Sequence, residues 1–282
     1  MVWENGTNQM NRLKKLCTIL LYKFVPPRLL INLKKLYYPY IISDNKTIEE
    51  IDARLLEMVV SKGNTVVDIG ANIGVYTVHL SRLVGDTGSV YSIEPVDVTY
   101  DILTSNIHKL DLTNVIPLNY ALSNQNQVVQ MGIPSSKEGV SNYYRAEIVD
   151  SLNIDDQITL VNVDTRRLDD IFADFDQSIA FIKCDVEGHE MACIEGGLET
   201  MRKHKPIWLI EIDGNTADNQ ARDLSSPVFD FLDAEGYSVF RFDGVSLNRP
   251  TNNDYSVNYW FLKSQHITEL LNMGISIEGE KV

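Results

Sequence analysis

Short apolar runs of five or six residues alternate along this chain with longer segments whose apolar residues recur every three or four positions. The first pattern predicts buried strands and the second predicts amphipathic helices that cover them. Over the first half we predict helix 49–62, strand 64–69, helix 74–84, strand 89–93, helix 97–110 and strand 115–122. In helix 49–62, residues Ile51, Leu55, Met58 and Val59 are expected to share the buried face. Such a series implies a parallel sheet with right-handed crossovers.

The pattern changes in the middle of the chain and then resumes. Residues 124–160 are rich in Asn, Gln, Ser and Gly, which predicts an inserted hairpin and a long, lid-like loop. An edge strand over 159–163 and a short helix over 167–175 should follow. The remaining prediction is strand 179–184, helix 190–204, strand 207–212, helix 227–235 and an antiparallel pair of strands, 237–242 and 258–262. The expected fold is α/β, with a seven-stranded, mostly parallel sheet, an antiparallel final strand and helices on both faces.

The N-terminal segment differs in charge from the rest of the chain. Residues 1–50 hold eight Lys and Arg against four acids, a net charge of +4. Because the whole chain has a net charge of −14, residues 51–282 carry a net charge of −18. Residues 16–42 are apolar and aromatic, but basic residues interrupt them, and no run of about 18 apolar residues suggests a membrane span. We predict two basic amphipathic helices broken at Pro26 and Pro27. We expect them to pack on the main domain, and peripheral contact of residues 1–48 with an anionic membrane is the alternative.

Composition excludes some classes of function. A net charge of −14 argues against a nucleic-acid partner, because phosphate contacts need a basic face. The three cysteines, Cys17, Cys184 and Cys193, show no metal-binding spacing and form no disulfide framework. We therefore expect a reducing, cytoplasmic setting.

The most informative stretch is a glycine turn between a strand and a helix, Val66-Val67-Asp68-Ile69-Gly70-Ala71-Asn72-Ile73-Gly74-Val75-Tyr76-Thr77. A second strand ends at Glu94, twenty residues after Gly74, where a carboxylate would bind ribose hydroxyls. A dinucleotide fingerprint would need a further glycine, and Val75 stands in its place. Asp68 would repel phosphates but suits an ammonium group. The loop therefore favours S-adenosylmethionine, which carries a ribose and an ammonium and has no phosphate.

The cofactor-binding residues expected from this turn, the neighbouring strand ends and the loop after the third strand are Asp68, Gly70, Asn72, Gly74, Tyr76, Thr77, Glu94, Pro95, Asn119, Ala121 and Asp185. Polar groups at the carboxyl ends of parallel strands meet at one edge of the sheet, which is where α/β proteins bind ligands.

A second cluster follows the fourth core strand and reads Asp185-Val186-Glu187-Gly188-His189-Glu190. Methyl transfer to an alcohol requires positioning and removal of the hydroxyl proton, so Asp185, Glu187 and His189 are the catalytic candidates. Glu190 is expected to cap the following helix. Asp185 and Glu211 would suit Mg²⁺, but no third ligand is evident, and we do not favour a metal.

Taken together, these motifs resemble the FkbM family of S-adenosylmethionine-dependent methyltransferases over about residues 50–265. The resemblance rests on Val67–Gly74, on Ile93-Glu94-Pro95, on Asn119–Ser123 and on Ile182–Glu190, with Cys184 where isoleucine or leucine is usual. It implies a Rossmann-like class I methyltransferase fold and O-methylation of a sugar in a glycan, a glycolipid or a natural product. The chain then divides into an extension (1–48), a methyltransferase domain (49–265, with insertion 124–160) and a C-terminal tail (266–282).

Two other functions stay open at this point. An NAD-dependent oxidoreductase is disfavoured by the missing glycine, and a non-catalytic, membrane-associated binding module would use the basic N-terminus. If the chain is a methyltransferase, Tyr143, Tyr144 and Arg145 of the insertion would form a wall for the sugar acceptor; otherwise the tyrosines pack on the sheet.

Overall fold

The computed structural model of this chain describes residues 25–43, 50–134, 146–148, 158–212, 226–251 and 258–280. Within these ranges the helices are α1 (Pro27–Ile42), α2 (Glu50–Val59), α3 (Val75–Val84), α4 (Asp97–Lys109), α5 (Leu168–Ile171), α6 (Glu190–Glu195), α7 (Leu198–His204), α8 (Pro227–Ala234) and α9 (Ser264–Asn272). The strands are β1 (Thr65–Ile69), β2 (Ser89–Ile93), β3 (Val115–Leu118), β4 (Ala121–Leu122), β5 (Val128–Pro134), β6 (Glu147–Ile148), β7 (Ile158–Arg166), β8 (Ile179–Cys184), β9 (Ile207–Glu211), β10 (Ser238–Phe242), β11 (Ser246–Asn248), β12 (Asn258–Leu262) and β13 (Ser276–Ile277).

The main sheet has the order β13-β11-β10-β12-β9-β8-β1-β2-β3. Strands β3, β2, β1, β8 and β9 are parallel, and β12 runs antiparallel between β9 and β10. The predicted Rossmann-like α/β fold with one antiparallel strand among its seven core strands is therefore confirmed. The strand count differs, because β11 and β13 extend the sheet to nine strands beyond β10.

Burial on both faces explains the continuous apolar character of the central strands. Every residue of β1 is buried, and β8 is buried at five of its six positions. Alternate side chains enter two separate cores. Val67 and Ile182 belong to one core, and Val66 and Phe181 belong to the other. Such continuous apolar runs are typical of strands in parallel sheets that are covered on both faces.

Four predicted elements differ from the structure, and the first is helix 167–175, which is helical only over Leu168–Ile171. Strand 115–122 ends at Leu118, and its last two residues form β4 in a second sheet of order β4-β7-β5-β6. Strand 159–163 is part of the longer β7, which is not an edge strand because β4 and β5 flank it. Helix 190–204 is divided at Gly196 and Gly197 into α6 and α7, and only glycine fits at position 196, because a Cβ atom there would lie 2.0 Å from the Ser123 carbonyl oxygen.

The buried face of α2 also differs from the prediction. Leu55 and Leu56 are fully buried together with Asp52, whereas Ile51 is 44% exposed. Asp52 accepts a hydrogen bond from Asn258 Nδ2 at 2.7 Å, and this polar contact explains why an acid, and not Ile51, points inward.

The second sheet contains the described part of the insertion and is attached to the main domain. β4 continues the chain from β3 and pairs with β7 in parallel, and Ser123 N–H donates to the Arg166 carbonyl oxygen. Met131, Ile133 and Val163 form a small core with Ala121 of β4. The insertion is thereby fixed beside the carboxyl ends of β2 and β3.

Both ends of the described chain pack on the main domain. Helix α1 lies against α4, and α9 and β13 contribute Ile267, Leu270 and Ile277 to one of the two main cores. Among the helices that the structure describes, none is long and apolar enough to cross a membrane. The first of the two predicted N-terminal helices falls largely outside the described residues.

Candidate active site

Two clefts meet at the carboxyl edge of the main sheet. The first has about 620 Å³ of empty volume and lies between the ends of β1, β2 and β8 and the inserted sheet. The second has about 770 Å³ and lies above β1, α3 and β8. Gly70, Asn72 and Asp185 line both clefts, so the two form one continuous trough.

The glycine turn brings the first and fourth core strands into direct contact. Gly70 has a φ of 75°, and a Cβ atom there would lie 1.8 Å from the Asp185 carbonyl oxygen. The N–H groups of Gly70 and Ala71 both donate to the Ile93 carbonyl oxygen, which ties the turn to β2. Asn72 takes a left-handed φ of 53°, a conformation that asparagine tolerates better than most residues. Only glycine at position 70 allows this close approach.

Glu94 is a buried carboxylate held by backbone donors. Its Oε2 accepts from Asn72 N–H at 2.9 Å and its Oε1 accepts from Val96 N–H at 3.0 Å. Burial raises the pKa of Glu94 to about 7, although both N–H groups oppose the shift. Each carboxylate oxygen has a second lone pair, so the group can also accept from a pair of ligand hydroxyls.

Asp68 has one bonded oxygen and one buried oxygen without a partner. Its Oδ2 accepts from Thr77 Oγ1 at 2.6 Å, and the same hydroxyl lies 3.0 Å from Ser92 Oγ. Its Oδ1 is buried without a hydrogen-bond partner in the part of the chain that the structure describes. Burial raises the pKa of Asp68. Because buried polar atoms are normally paired, this oxygen marks a position for a donor supplied by a ligand.

Lys183 is a buried cation between the two clefts that the sequence analysis did not assign to the site. Its Nζ donates to Asp185 Oδ2 at 2.8 Å and lies 4.6 Å from the centroid of the Tyr76 ring. Burial lowers the pKa of Lys183, but Asp185 and Asp68 outweigh it and the net pKa is raised. Lys183 pairs in register with Asp68 across β1 and β8. A lone lysine within the apolar run 179–184 was the sequence feature that could have indicated it.

The loop after β8 has an unusual backbone. Glu187 has a φ of 51° and Gly188 a φ of 94°, and such conformations cluster at functional sites. His189 Nε2 lies 3.1 Å from Ser123 Oγ, which connects this loop to β4. Glu190 Oε1 accepts from the Gly188 N–H at 2.8 Å, so its carboxylate holds the loop at the start of α6.

The structure brings most of the expected residues to the trough. The first cleft is lined by Gly70, Asn72, Glu94, Pro95, Ala121, Asp185, Glu187 and His189, and the second by Asp68, Gly70, Asn72, Tyr76 and Asp185. Three expected residues do not line the clefts and instead support the residues that do. Gly74 begins α3 with a φ of 97°, and Thr77 binds Asp68. Asn119 Nδ2 donates to the carbonyl oxygens of Glu94 and Pro95 at 3.1 and 3.3 Å.

The first cleft has an apolar wall, part of which comes from Tyr120 and Leu122 of the expected Asn119–Ser123 segment. Another part comes from Met131, Ala146 and Ile148 of the insertion, which the sequence analysis did not assign to the site. The alternating run 128–131 indicated a strand there but not that it would face a cleft. Tyr143, Tyr144 and Arg145 lie outside the described residues.

The metal alternative gains no support. Within the described ranges, no three His, Cys, Asp or Glu side chains are grouped so that they could hold a metal ion. Asp185 is bonded to the Lys183 ammonium, and Glu211 ends the next strand, β9.

Comparisons with known proteins agree with the chemistry of the trough. The family model described as the Methyltransferase FkbM domain matches residues 68–239. A probable cobalt-precorrin-6B C(15)-methyltransferase (decarboxylating) from Saccharolobus solfataricus is 38% identical over 73 residues, which are 26% of this chain and 37% of that protein. This chain thus spans well under half of that relative.

Two solved structures are similar to this chain at low identity. The methyltransferase FkbM from Methylobacillus flagellatus KT is 18% identical with a TM-score of 0.45, over 71% of this chain and 43% of that one. A SAM-dependent methyltransferase from Aquifex aeolicus is 20% identical with a TM-score of 0.41, over 75% of this chain and 88% of that one.

The buried charges of the trough lead to a stability prediction. Lys183→Met should lower the free energy of unfolding by about 3 kcal/mol, because it leaves Asp68 and Asp185 without their cation. Adding Asp68→Asn should restore part of the loss, and urea denaturation of the single and double variants measures this coupling. Lys62→Met, at an exposed lysine after α2, is the control and should cost less than about 1 kcal/mol. Strictly additive losses would show that the charges do not interact.

Proposed function

We propose that this chain, which belongs to the FkbM methyltransferase family and is a S-adenosylmethionine-dependent methyltransferase, methylates a hydroxyl oxygen of a sugar. The sugar would belong to a glycan, a glycolipid or a natural product. The observation that carries the proposal is the position of Asp185, which lines both clefts and shares the first one with Glu187 and His189. The groups suited to the cofactor and those suited to an alcohol therefore meet at one point.

Three features of the trough fit the cofactor. The apolar wall of the first cleft would hold the adenine, and Glu94 would accept hydrogen bonds from the ribose hydroxyls. The unpartnered Oδ1 of Asp68 would accept a hydrogen bond from the ammonium of the methionine moiety. When bound, S-adenosylmethionine supplies an electrophilic methyl group on a sulfonium. The negative charge of Asp68 and Asp185, only partly offset by Lys183, suits a ligand of positive charge.

The rim of the first cleft favours an uncharged acceptor rich in hydroxyl groups. Asp185 and Glu187 present carboxylates there, and the chain as a whole carries −14. Carboxylates accept hydrogen bonds from alcohols but repel phosphates and carboxylates. This argues for a sugar hydroxyl and against RNA or a polyanionic small molecule.

The hydroxyl must lose a proton as its oxygen attacks, and we assign His189 as the acceptor of that proton. Asp185 Oδ2 already accepts a hydrogen bond from Lys183 Nζ, so this oxygen is less available to an acceptor hydroxyl. Asp185 would instead act on the sulfonium by its charge, and Glu187 would orient the acceptor through a neighbouring hydroxyl. The Ser123 hydroxyl holds the His189 ring in place.

Replacing the proposed base, His189, should reduce turnover without weakening the binding of the cofactor. His189→Gln is expected to lower kcat about 100-fold, because general-base catalysis contributes a factor of this order. Affinity for S-adenosylhomocysteine should stay within about threefold of the original, since His189 makes no assigned contact with the cofactor. Glu195→Gln is the matched polar control, because Glu195 lies at the end of α6 and binds Asn124. Full activity of His189→Gln would reject the assignment.

Cofactor binding should release a proton from Glu94. In the folded protein its pKa is about 7 against an ordinary 4.5, so the folded state holds this proton more tightly than the unfolded state. That contribution to stability is complete below pH 4.5 and is lost as pH rises through 7. Ribose hydroxyls would donate to the ionised carboxylate and lower its pKa.

Calorimetry of S-adenosylhomocysteine binding in two buffers of different ionisation enthalpy measures this release. We expect proton release near neutral pH and little at alkaline pH, where Glu94 is already ionised. Glu94→Gln should bind more weakly and lack the pH-dependent release. If that variant released the same number of protons, the ribose assignment would be wrong.

The acceptor class is tested by mass spectrometry of glycans and glycolipids from cells with and without this protein. The expected result is the loss of a methyl group from one sugar position. Purified protein should also transfer labelled methyl to such an extract and not to ribosomal RNA. Methylation of RNA alone would overturn the sugar proposal while leaving the family assignment in place.

A further inference from the structure

Helix α1 presents a row of large apolar side chains to solvent. Leu29, Leu33, Leu36, Tyr37 and Tyr40 are between 46% and 81% exposed. At 3.6 residues per turn these positions lie within about 100° of the helix circumference. This row, called here the outer stripe, is the largest group of exposed apolar residues on any one described element. Scattered exposed apolar residues need no explanation, but a continuous row indicates a partner.

The outer stripe faces outward because α1 is fixed from its other side. Lys35 Nζ forms an ion pair with Asp101 on α4 at 2.5 Å. Pro39 has no N–H, so the Lys35 carbonyl oxygen has no helical partner, and it accepts instead from Lys109 Nζ at 2.7 Å. Arg82 donates to the Ser43 carbonyl oxygen at 2.9 Å just beyond the helix. These contacts hold the helix against the domain in one orientation.

The charges on α1 select the kind of partner. The helix contains Arg28, Lys34 and Lys35 and no acid, within a chain of net charge −14. Arg28 and Lys34 lie on opposite sides of the outer stripe, where long basic side chains can reach a polar surface. A symmetric contact between two copies would bring these basic residues together. An anionic surface attracts α1 and repels the rest of the molecule, so it also fixes the orientation.

We propose that the outer stripe of α1 docks on an anionic lipid membrane, with its leucines at the boundary of the acyl chains and its tyrosines among the headgroups. This is the pattern of an interfacial amphipathic helix, and tyrosine is enriched at that depth. Tyr38, between the residues of the stripe, lines the second cleft on the inner side of the helix. Docking therefore places the trough close to the lipid surface, where a lipid-linked acceptor would be presented. The membrane contact itself does not rest on the proposed sugar acceptor.

Cosedimentation of the full chain with vesicles tests the proposal. Vesicles of equal parts phosphatidylcholine and phosphatidylglycerol should pellet the protein, and vesicles of phosphatidylcholine alone should do so much less. The variant Leu33→Gln/Leu36→Gln/Tyr40→Gln should lose about tenfold or more in binding. The control Val128→Gln/Val245→Gln/Met273→Gln changes residues that are 57% to 73% exposed on other elements, and it should bind as the original does.

Three results would overturn the proposal. The original protein could stay in the supernatant with both kinds of vesicle, or the stripe variant could bind as well as the original. Alternatively, sedimentation equilibrium could show a dimer that the stripe variant converts to a monomer, which would assign the face to a second copy. Unchanged binding of S-adenosylhomocysteine by the stripe variant confirms that it is folded. A failure of the sugar proposal would leave the vesicle result intact, so the two are distinguishable.

Discussion

The arrangement of the candidate active site depends on one buried ionic cluster. The cluster lies between β1 and β8, where the order of strands in the sheet reverses. Lys183 lies between Asp68 and Asp185, on the adjacent strands β1 and β8, and is almost inaccessible to solvent. Two carboxylates and one ammonium leave the cluster short of positive charge, with Asp68 and Lys183 buried and the Asp185 side chain 30% exposed to the trough. Such a cluster is costly to fold unless a cation completes it. A ligand with an ammonium and a sulfonium supplies that positive charge, so the cluster favours the binding of such a cofactor.

A second constraint connects this cluster to the reactive loop. The contact between Gly70 and the Asp185 carbonyl leaves no space for a side chain, so the cofactor turn and the loop after β8 cannot move independently. Glu94 is bonded to Asn72 of the same turn. The carboxylates that would recognise the ribose and the ammonium are thereby positioned by a single backbone turn. Because catalysis of methyl transfer is mostly a matter of alignment, this rigidity is itself part of the chemistry.

Local patterns predicted the residues whose roles are local and missed those whose roles depend on packing. The glycine turn, Glu94 and the Asp185–His189 loop follow strand ends, and the carboxyl edge of a parallel sheet brings them together. Lys183 was missed because only the pairing of β8 with β1 places it beside Asp68 as well as its ion-pair partner Asp185. The break between β3 and β4 was missed because residues 115–122 are apolar apart from Asn119, and the pairing of β4 with β7 divides them. Met131 and Ile148 could not be placed in the first cleft for the same reason, since the inserted sheet is positioned by contacts distant in sequence.

The distribution of charge along the chain connects the candidate active site with the outer stripe of α1. The acidity of the chain disfavours anionic substrates at the trough and also weakens any general attraction to an anionic membrane. If the acceptor is carried on a lipid, the protein must approach a surface that repels most of it. A short basic helix with an apolar stripe overcomes that repulsion locally, and it does so beside the second cleft, through Tyr38. If both proposals hold, the uneven charge along the chain serves both ends: the acidic body would select an uncharged sugar, and the basic helix would bring the body to the surface that carries it.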